Sequence, residues 1–268
     1  MRSGSEIRSR GPVNVHPTAI VHPEAELGEG VQIGPYSVIA GTVKIGDRTR
    51  IGSHVVIEGN TTLGADNEIF TGAVIGSRTQ DKKYDGGASF VRIGDRNFIR
   101  EYVTINPGTK EGTETLIGDD NLLMAYCHVA HDCILQNHTV LANQATLAGH
   151  VIVEDRAIIG GLSAVHQFVR IGQLALVGGC SKVVQDVPPF MMADGHPARA
   201  FGINSVGLDR ANFSKEEKTL MKKAFKIIFK SRLSLKNSMV KLSEECTSTP
   251  TLEILLEFLK ASERGICR

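Results

Sequence analysis

The residues in this 268-residue chain whose types and spacing best suit catalysis are histidines placed beside a carboxylate and a glycine. His131 is followed directly by Asp132, and Gly149 is followed directly by His150. A histidine oriented by a neighbouring carboxylate can act as a general base, and a glycine N–H can stabilise an oxyanion. This chemistry requires that two dipeptides 18 residues apart in the sequence meet in space.

An aliphatic repeat with a period of six residues can bring them together. Nearly every sixth residue from Val15 to Val183 is Ile, Leu or Val, and the breaks fall at Asp81, Gly87 and Glu111. Three such hexads form one coil of a parallel β-helix, with each aliphatic side chain pointing inward. An ordinary β-sandwich would space its turns by about 8 to 12 residues instead. The repeat therefore predicts a mainly β fold, a parallel β-helix of hexapeptide repeats.

Residues one coil apart lie above one another, separated by about 4.8 Å as neighbouring strands are. His131, Gly149 and Gln167 then form one column, and Asp132 and His150 lie in the next. For any single histidine, a solvated surface side chain is the alternative interpretation. The 18-residue spacing of the coils therefore predicts one patch that contains His128, His131, Asp132, Gly149, His150 and Gln167.

Small or acidic residues follow many of the aliphatic positions, as in IGDRTR, LGADNE and IGDRNF. We expect them at the corners of the coil, where the backbone adopts unusual angles and neighbouring coils approach closely.

The repeat ends at a segment rich in Pro and Gly, residues 187–202, which predicts the end of the β-helix. A capping box at residues 214–217 predicts a helix, residues 233–244 a second helix, and Pro250 the start of a third. We therefore divide the chain into an extension (1–12), a catalytic β-helix (13–189) and a C-terminal α-helical domain (190–268).

The composition excludes several classes of function. With 30 basic and 29 acidic side chains, the chain has no global charge favouring nucleic acid. No apolar run approaches the roughly 20 residues of a membrane span. The 5 cysteines form no CxxC pair, which indicates a reducing compartment and no disulfide framework.

Two insertions interrupt the repeat, at about residues 77–92 and 107–116. Long loops on a rigid scaffold usually carry function, so both are candidates. The alternative for Asp81, Lys82 and Lys83 is a solvated surface loop.

At these residues the sequence resembles a known family, the UDP-N-acetylglucosamine O-acyltransferases of lipid A biosynthesis. The resemblance runs from about Val13 to the C-terminus and covers the helical tail. The segments that carry it are TQDKKY, IGDRNFIRE, GDDNLLMAYCHVAHDC, LANQATLAGHV, AIIGGLSAVHQFVRIG and VGGCSKVVQDVPP.

The resemblance implies a left-handed β-helix and direct transfer of an (R)-3-hydroxyacyl chain. The donor would be acyl carrier protein bearing phosphopantetheine, and the acceptor the 3-hydroxyl of UDP-N-acetylglucosamine. His131 would be the general base, Asp132 its orienting partner and Gly149 the oxyanion donor. No metal, bound cofactor or nucleophilic side chain would be needed, and the protein would be a homotrimer with sites between subunits.

The remaining site residues are likewise implied by the resemblance. Gly179 would set the length of the acyl chain, and Gln167 would contact the nucleotide or pantetheine. The residues implied to line the sugar and acyl-chain ends are Gln80, Asp81, Lys83, His128 and His150.

Departures from the family pattern lie after the repeat. Pro197 stands where His is common, Val206 where an acidic residue is common, and Ala211 where a second Arg is common. Asn204 and Arg210 keep their expected roles as contacts to uridine, phosphate or carrier protein. Nucleotide binding is therefore the expectation that these departures weaken.

Three other functions fit parts of the sequence. A hexapeptide-repeat zinc carbonic anhydrase would use three histidines, for which His128, His131 and His150 are candidates. A noncatalytic solenoid would not need the intact His131, Asp132 and Gly149. The related N-acyltransferase of the same pathway has an added N-terminal domain, for which the residues before Val13 leave no space.

Two compartments are consistent with the sequence, and the leader MRSGSEIRSRG bears on the choice between them. It carries three arginines and one glutamate. In bacteria this chemistry is cytoplasmic. An Arg- and Ser-rich leader is also typical of an organelle transit peptide, so a plant mitochondrial homologue is the alternative.

Overall fold

The computed structural model describes residues 11–268 and contains a three-sided β-helix followed by four α-helices. The leader that motivated the mitochondrial alternative, residues 1–10, lies outside the described residues. Three parallel sheets form the sides of the β-helix, and each coil contributes one short strand to every sheet. The prediction of a left-handed β-helix of hexapeptide repeats with a helical C-terminal region is confirmed.

The strands are two residues long at most positions. The first sheet contains Asn14–Val15, Gln32–Ile33, Arg50–Ile51, Glu68–Ile69, Phe98–Ile99, Leu122–Leu123, Val140–Leu141, Ile158–Ile159, Leu176–Val177, Met191–Gly195 and Ala198–Ile203. The second contains Ile20–Val21, Val38–Ile39, Val56–Ile57, Val74–Ile75, Thr104–Ile105, His128–Val129, Thr146–Leu147, Ala164–Val165 and Lys182–Val183. The third contains Glu26–Leu27, Lys44–Ile45, Asn60–Leu63, Phe90–Ile93, Glu114–Ile117, Ile134–Leu135, Ile152–Val153 and Arg170–Ile171.

From the second coil onward, the second residue of each two-residue strand fills the core of the β-helix. Leu123, Val129 and Leu147 are completely buried, and each stacks on its counterpart in the neighbouring coil. Burial of an aliphatic side chain stabilises the folded state by roughly 1.5 to 3 kcal/mol, and the repeat places such a side chain in nearly every hexad. The aliphatic repeat therefore stabilises the whole scaffold that carries the corner residues.

The corners differ in one respect from the expectation. The left-handed backbone conformation falls on the third residue after the aliphatic position, as at Asp132 (φ 60°), His150 (φ 60°) and Phe168 (φ 64°). The small residue directly after the aliphatic position instead allows neighbouring coils to approach closely. A Cβ on Gly34 would lie 2.6 Å from the carbonyl oxygen of Gly52.

The two insertions leave the coil without changing the stacking of the strands around them. Three four-residue strands of the third sheet, Asn60–Leu63, Phe90–Ile93 and Glu114–Ile117, pair across them in register. Two of these strands, Phe90–Ile93 and Glu114–Ile117, include residues that we had predicted to lie in the insertions. The first loop is therefore residues 76–89 and the second loop residues 106–113.

The segment rich in Pro and Gly adds a hairpin to the first sheet. Met191–Gly195 pairs parallel to the preceding coil and antiparallel to Ala198–Ile203. Helix α1 (Ser205–Arg210) follows directly. The sequence predicted neither the hairpin nor α1, because neither carries the six-residue repeat or a helical pattern of sufficient length.

The helical region confirms the three predicted helices with small shifts of their bounds. Helix α2 (Lys215–Phe225) begins with the expected capping box, and its chain continues as a π-helical segment, Lys226–Lys230. Helix α3 spans Leu235–Glu245, and α4 (Pro250–Ala261) begins at the predicted proline. These helices enclose a second apolar cluster at the C-terminal end of the β-helix. No helix among residues 11–268 is both long and apolar enough to cross a membrane.

Candidate active site

The predicted base and its partner lie at the corner between the second and third sheets, directly after strand His128–Val129. His131 Nδ1 lies 2.8 Å from Asp132 Oδ2. Because an ionised carboxylate only accepts hydrogen bonds, Nδ1 carries the proton and Nε2 keeps its lone pair. Both side chains are largely buried, with 14% and 10% exposed. The pair is therefore an oriented imidazole whose Nε2 is ready to accept a proton.

Asp132 is held by groups of the second loop and the following strand. The backbone N–H of Thr109 donates to Asp132 Oδ2 at 3.1 Å, and the backbone N–H of Asp132 donates to Thr115 Oγ1 at 2.9 Å. Burial by itself raises the pKa of the Asp132 carboxyl, but hydrogen bonds from His131, Thr113 and Thr109 outweigh it and hold that pKa below its usual value. The carboxylate thus stays charged beside His131.

Gly149 lies one coil above His131, in contact with the imidazole face. A Cβ at this position would come within 2.4 Å of His131 Nε2, so only glycine fits. Within residues 11–268, no protein acceptor engages the Gly149 N–H. A free backbone donor beside the base has the properties of an oxyanion donor.

The two other histidines of the patch have different surroundings. His128 Nδ1 lies 2.7 Å from Thr104 Oγ1, and burial lowers the pKa of His128. His150 stacks on Phe168 with ring centroids 4.6 Å apart and meets the edge of the His131 ring at 5.1 Å. Burial lowers the pKa of His150, which the charge of Asp132 opposes.

A cavity of about 480 Å³ opens in front of His131. It brings together seven of the predicted site residues: Gln80, Asp81, Lys83, His128, His131, Gly149 and Gln167. Asp81 Oδ2 lies 3.7 Å from His131 Nε2, so a residue of the first loop faces the base. The first loop is therefore part of the site, rather than only a solvated surface loop.

Four further residues line this cavity: Lys82, Asn106, Ala130 and Ala148. The sequence did not assign them. Strand register could have found Asn106, because Thr104 pairs with His128 and Asn106 therefore lies beside Ala130. That inference needed the length of the second loop, which the sequence left uncertain.

Two predicted site residues, Asp132 and His150, do not line this cavity but a separate one of about 410 Å³. Phe168, Arg170 and Asp186 contribute to it from the following coils, and the end of α4 closes it.

Asn204 and Arg210 line a third cavity, of about 370 Å³, at the corner between the third and first sheets. The sequence did not predict His138 and Arg156, which line it with them. Both ends of the Asn204 amide are used within the chain: Oδ1 accepts from the Gly207 N–H at 3.0 Å, and Nδ2 donates to the Leu174 carbonyl at 2.9 Å. Arg210 is therefore the freer of the two predicted contacts.

Gly179 lies at the remaining corner, between the first and second sheets, and lines none of these cavities. The third residue after each aliphatic position at this corner is often large and exposed. This aromatic corner consists of Tyr36, Tyr102, Tyr126 and Leu162. The predicted site residues thus occupy three different corners of one chain.

One group of described residues could hold a metal ion. The candidate ligand atoms of His131, Asp132 and His150 lie within 4.8 Å of one another. His128, the third histidine of the carbonic anhydrase alternative, is not among them. Asp132 Oδ2 is also occupied by the His131 and Thr109 hydrogen bonds, which suits an orienting carboxylate better than a metal ligand.

The thiols nearest the base are poor nucleophiles. Cys127 and Cys133 are completely buried, where they pack in the core of the β-helix. Burial raises the pKa of Cys127 to about 11 and that of Cys133 to about 12. Both therefore act as small apolar side chains.

Comparison with known proteins agrees with this geometry. Residues 186–267 match the model of domain 2 of UDP N-acetylglucosamine O-acyltransferase, and residues 24–59 and 114–149 match bacterial transferase hexapeptide repeats. The acyl-[acyl-carrier-protein]–UDP-N-acetylglucosamine O-acyltransferase of Paracidovorax citrulli is 53% identical over 260 residues, covering 95% of this chain and 99% of that protein. The enzyme of the same name from Janthinobacterium is 50% identical over 259 residues, with the same coverage.

A solved structure is similarly close. LpxA from Acinetobacter baumannii superposes with a TM-score of 0.92 at 43% identity, covering 95% of this chain and 99% of that one. The β-helix of hexapeptide repeats and the helical C-terminal region, both matched by these proteins, place the chain in the class of hexapeptide-repeat acyltransferases. Within that class, the chain belongs to the UDP-N-acetylglucosamine O-acyltransferase family.

Proposed function

We propose that this enzyme transfers an (R)-3-hydroxyacyl chain from acyl carrier protein to the 3-hydroxyl of UDP-N-acetylglucosamine, the first step of lipid A biosynthesis. Its relatives of about 50% identity over nearly the whole chain are named acyl-[acyl-carrier-protein]–UDP-N-acetylglucosamine O-acyltransferases, which supports the donor and the acceptor. The observation that supports the mechanism is the 2.8 Å contact between His131 Nδ1 and Asp132, which leaves Nε2 facing the 480 Å³ cavity.

The transfer is direct. His131 Nε2 takes the proton from the sugar 3-hydroxyl, and the resulting oxygen attacks the carbonyl carbon of the thioester. The tetrahedral oxyanion accepts a hydrogen bond from the Gly149 N–H. Its collapse forms the ester and breaks the C–S bond. The phosphopantetheine thiolate then takes the proton that His131 Nε2 acquired.

Asp132 stabilises the protonated imidazole during this sequence. Since the pKa of Asp132 is held low, its carboxylate remains charged while His131 carries the extra proton. The same contact fixes the imidazole tautomer and ring orientation.

The loop residues Gln80, Asp81 and Lys83 would hold the acceptor sugar in the cavity in front of the base. Gln167 also lines this cavity, where it would contact the nucleotide or pantetheine. We propose that no metal or bound cofactor takes part, because a base, an orienting carboxylate and an oxyanion donor account for every step. Exhaustive chelation should therefore leave the rate unchanged.

We also propose that the enzyme acts as a homotrimer. The predicted site residues occupy three different corners of one β-helix, and corners of different copies can meet when three chains pack side by side. The exposed aromatic corner supports this arrangement, since Tyr36, Tyr126 and Leu162 each leave more than half of their surface exposed in a single chain. Gly179 and Arg210 would then reach the cavities of neighbouring subunits.

Relatives of 50% and 53% identity come from the bacteria Janthinobacterium and Paracidovorax citrulli. We propose the bacterial cytoplasm as the compartment.

An acyl-transfer assay tests the function and the base together. Wild-type enzyme should acylate UDP-N-acetylglucosamine with 3-hydroxyacyl carrier protein, and His131→Ala should lower the rate by about 10² to 10⁴ without changing the melting temperature. His22→Ala is the matched control, because His22 lies on a distant coil and leaves half of its side chain exposed. A rate near that of wild type for His131→Ala would remove His131 from the mechanism.

A further inference from the structure

The two loops that flank the base are joined by a buried pair of hydroxyl groups. Thr79 of the first loop and Thr109 of the second are 5% and 4% exposed, and their Oγ1 atoms lie 3.4 Å apart. A buried hydroxyl requires a partner. Within residues 11–268, the Thr109 hydroxyl has Thr79 as its one hydrogen-bond partner.

Thr109 also contacts the carboxylate that orients the base. Its backbone N–H donates to Asp132 Oδ2 at 3.1 Å, and the same oxygen lies 2.8 Å from His131 Nδ1. A shift of Thr109 would therefore move the carboxylate on which the orientation of His131 depends.

Thr79 holds the backbone of Asp81, whose carboxylate lies on the other side of the base. The backbone N–H of Asp81 donates to Thr79 Oγ1 at 3.3 Å, and Asp81 Oδ2 lies 3.7 Å from His131 Nε2. Asp81 Oδ1 in turn accepts from the Lys83 backbone N–H at 3.0 Å. Thr79 thus sets the position of two residues that face the substrate cavity.

A second contact joins the loops at their bases. Asn106 Nδ2 donates to the Ser77 carbonyl at 3.0 Å, and Asn106 is buried. A third contact is made by the backbone, where the Gly112 N–H donates to the Ala88 carbonyl at 2.8 Å. Of these three contacts, the threonine pair is the one whose members also bond Asp132 and the Asp81 backbone.

We propose that Thr79 and Thr109 are positioning residues: their hydroxyl contact fixes the sugar-binding first loop relative to the His131–Asp132 pair. Neither side chain lines the substrate cavity, so each acts through the residues it holds. The inference rests on the proposed function, since it assumes that His131 is the base and that the first loop binds the sugar.

The test replaces each hydroxyl by a methyl group of similar size. Thr79→Val, Thr109→Val and the double variant are assayed with both substrates, well below their melting temperatures. We expect kcat/KM for UDP-N-acetylglucosamine to fall roughly three- to tenfold in each single variant, the equivalent of about one hydrogen bond, with KM for acyl carrier protein unchanged. The double variant should lose little more than Thr79→Val, because Thr109→Val removes the shared contact alone, whereas Thr79→Val also removes the acceptor of the Asp81 N–H.

Two controls separate positioning from packing. Thr79→Ser and Thr109→Ser keep the hydroxyl and should retain nearly the wild-type kcat/KM. Thr49→Val removes a completely buried hydroxyl that donates to the Gly64 carbonyl on a distant coil, so it should lower the melting temperature alone.

The results distinguish the inference from the function beneath it. A wild-type enzyme that does not acylate UDP-N-acetylglucosamine would contradict the proposed function, and an active His131→Ala variant would remove the base on which the inference rests. If His131→Ala is inactive but the valine variants keep the wild-type kcat/KM, only the positioning role is wrong. It is also wrong if the serine variants are impaired as much as the valine variants.

Discussion

His128 lies partly buried beside the base, and its surroundings allow a prediction about the pH dependence of stability. Burial lowers the pKa of His128, and the neighbouring His131 acts in the same direction. Neutral His128 therefore contributes stability that is fully present above the ordinary histidine pKa of about 6.5 and is lost as the pH falls through the lowered value. The melting temperature should decrease between about pH 7.5 and 5.5, and decrease less in His128→Gln.

Thermal unfolding at several pH values measures this effect. His22→Gln is the control, because the His22 side chain is half exposed and its loss should leave the pH dependence of wild type. An equal decrease in His128→Gln and wild type would show that other groups govern acid stability.

Gly179 allows a second prediction about a single residue. A Cβ there would meet the Gly161 carbonyl oxygen at 3.3 Å, so a small local shift accommodates a side chain. Gly179→Met should then fold but shorten the acyl groove, shifting preference from long to shorter 3-hydroxyacyl donors. Gly179→Ala should produce a smaller shift, and competition between donors of different length measures both. Unchanged preference in Gly179→Met would place the end of the groove elsewhere.

For single residues, the sequence predicted those that act through a characteristic side chain or, at Gly149, through the absence of one. The 18-residue spacing of the coils was sufficient to predict that His131, Asp132 and Gly149 lie side by side. Thr109 could not be found in this way, since it holds Asp132 through a backbone N–H that every residue except proline has. Asn204 matched a motif, yet its amide caps α1 and binds the Leu174 carbonyl, which no sequence pattern indicated.

Among the elements, short strands were predictable because a six-residue repeat determines which side chain points inward. The hairpin Met191–Ile203 was not, because its pairing with Leu176–Val177 depends on tertiary contacts beyond the last coil. The loop bounds were too wide for a related reason: strands Phe90–Ile93 and Glu114–Ile117 are extended by pairing with each other.

One buried carboxylate contributes to the contact between the last coil and the end of helix α4. Asp186 is 2% exposed; Oδ1 accepts from the Arg170 backbone N–H at 2.8 Å and Oδ2 from the Ser262 hydroxyl at 2.6 Å. Asp186→Ala leaves the Arg170 N–H without its acceptor and should lower the free energy of unfolding by about 1 to 3 kcal/mol.

Denaturant unfolding measures this change. Asp85→Ala, at an exposed position of the first loop, should alter the free energy of unfolding by less than about 0.5 kcal/mol. A change no larger in Asp186→Ala would mean that the apolar cluster of the helical region holds α4 without this carboxylate.

For the whole molecule, the question is whether one chain contains a complete site. His131 lies between the second and third sheets, whereas Arg210 lies beside the corner between the third and first. The exposed aromatic corner gives a surface through which copies can associate. A cyclic trimer with head-to-tail interfaces would place His131 of one copy near Arg210 of the next.

Mixed trimers test this arrangement. His131→Ala and Arg210→Ala should each be strongly impaired alone, but every trimer containing both has one interface at which the intact His131 meets the intact Arg210. Random assembly from equal amounts therefore restores roughly a quarter of the wild-type rate. Coexpression of the two variants, purification of the oligomer and the acyl-transfer assay measure it, with His131→Ala plus His131→Ala/Arg210→Ala as the control that should remain inactive. No recovery, in an oligomer shown by mass to contain both variants, would mean that Arg210 serves a site within its own chain.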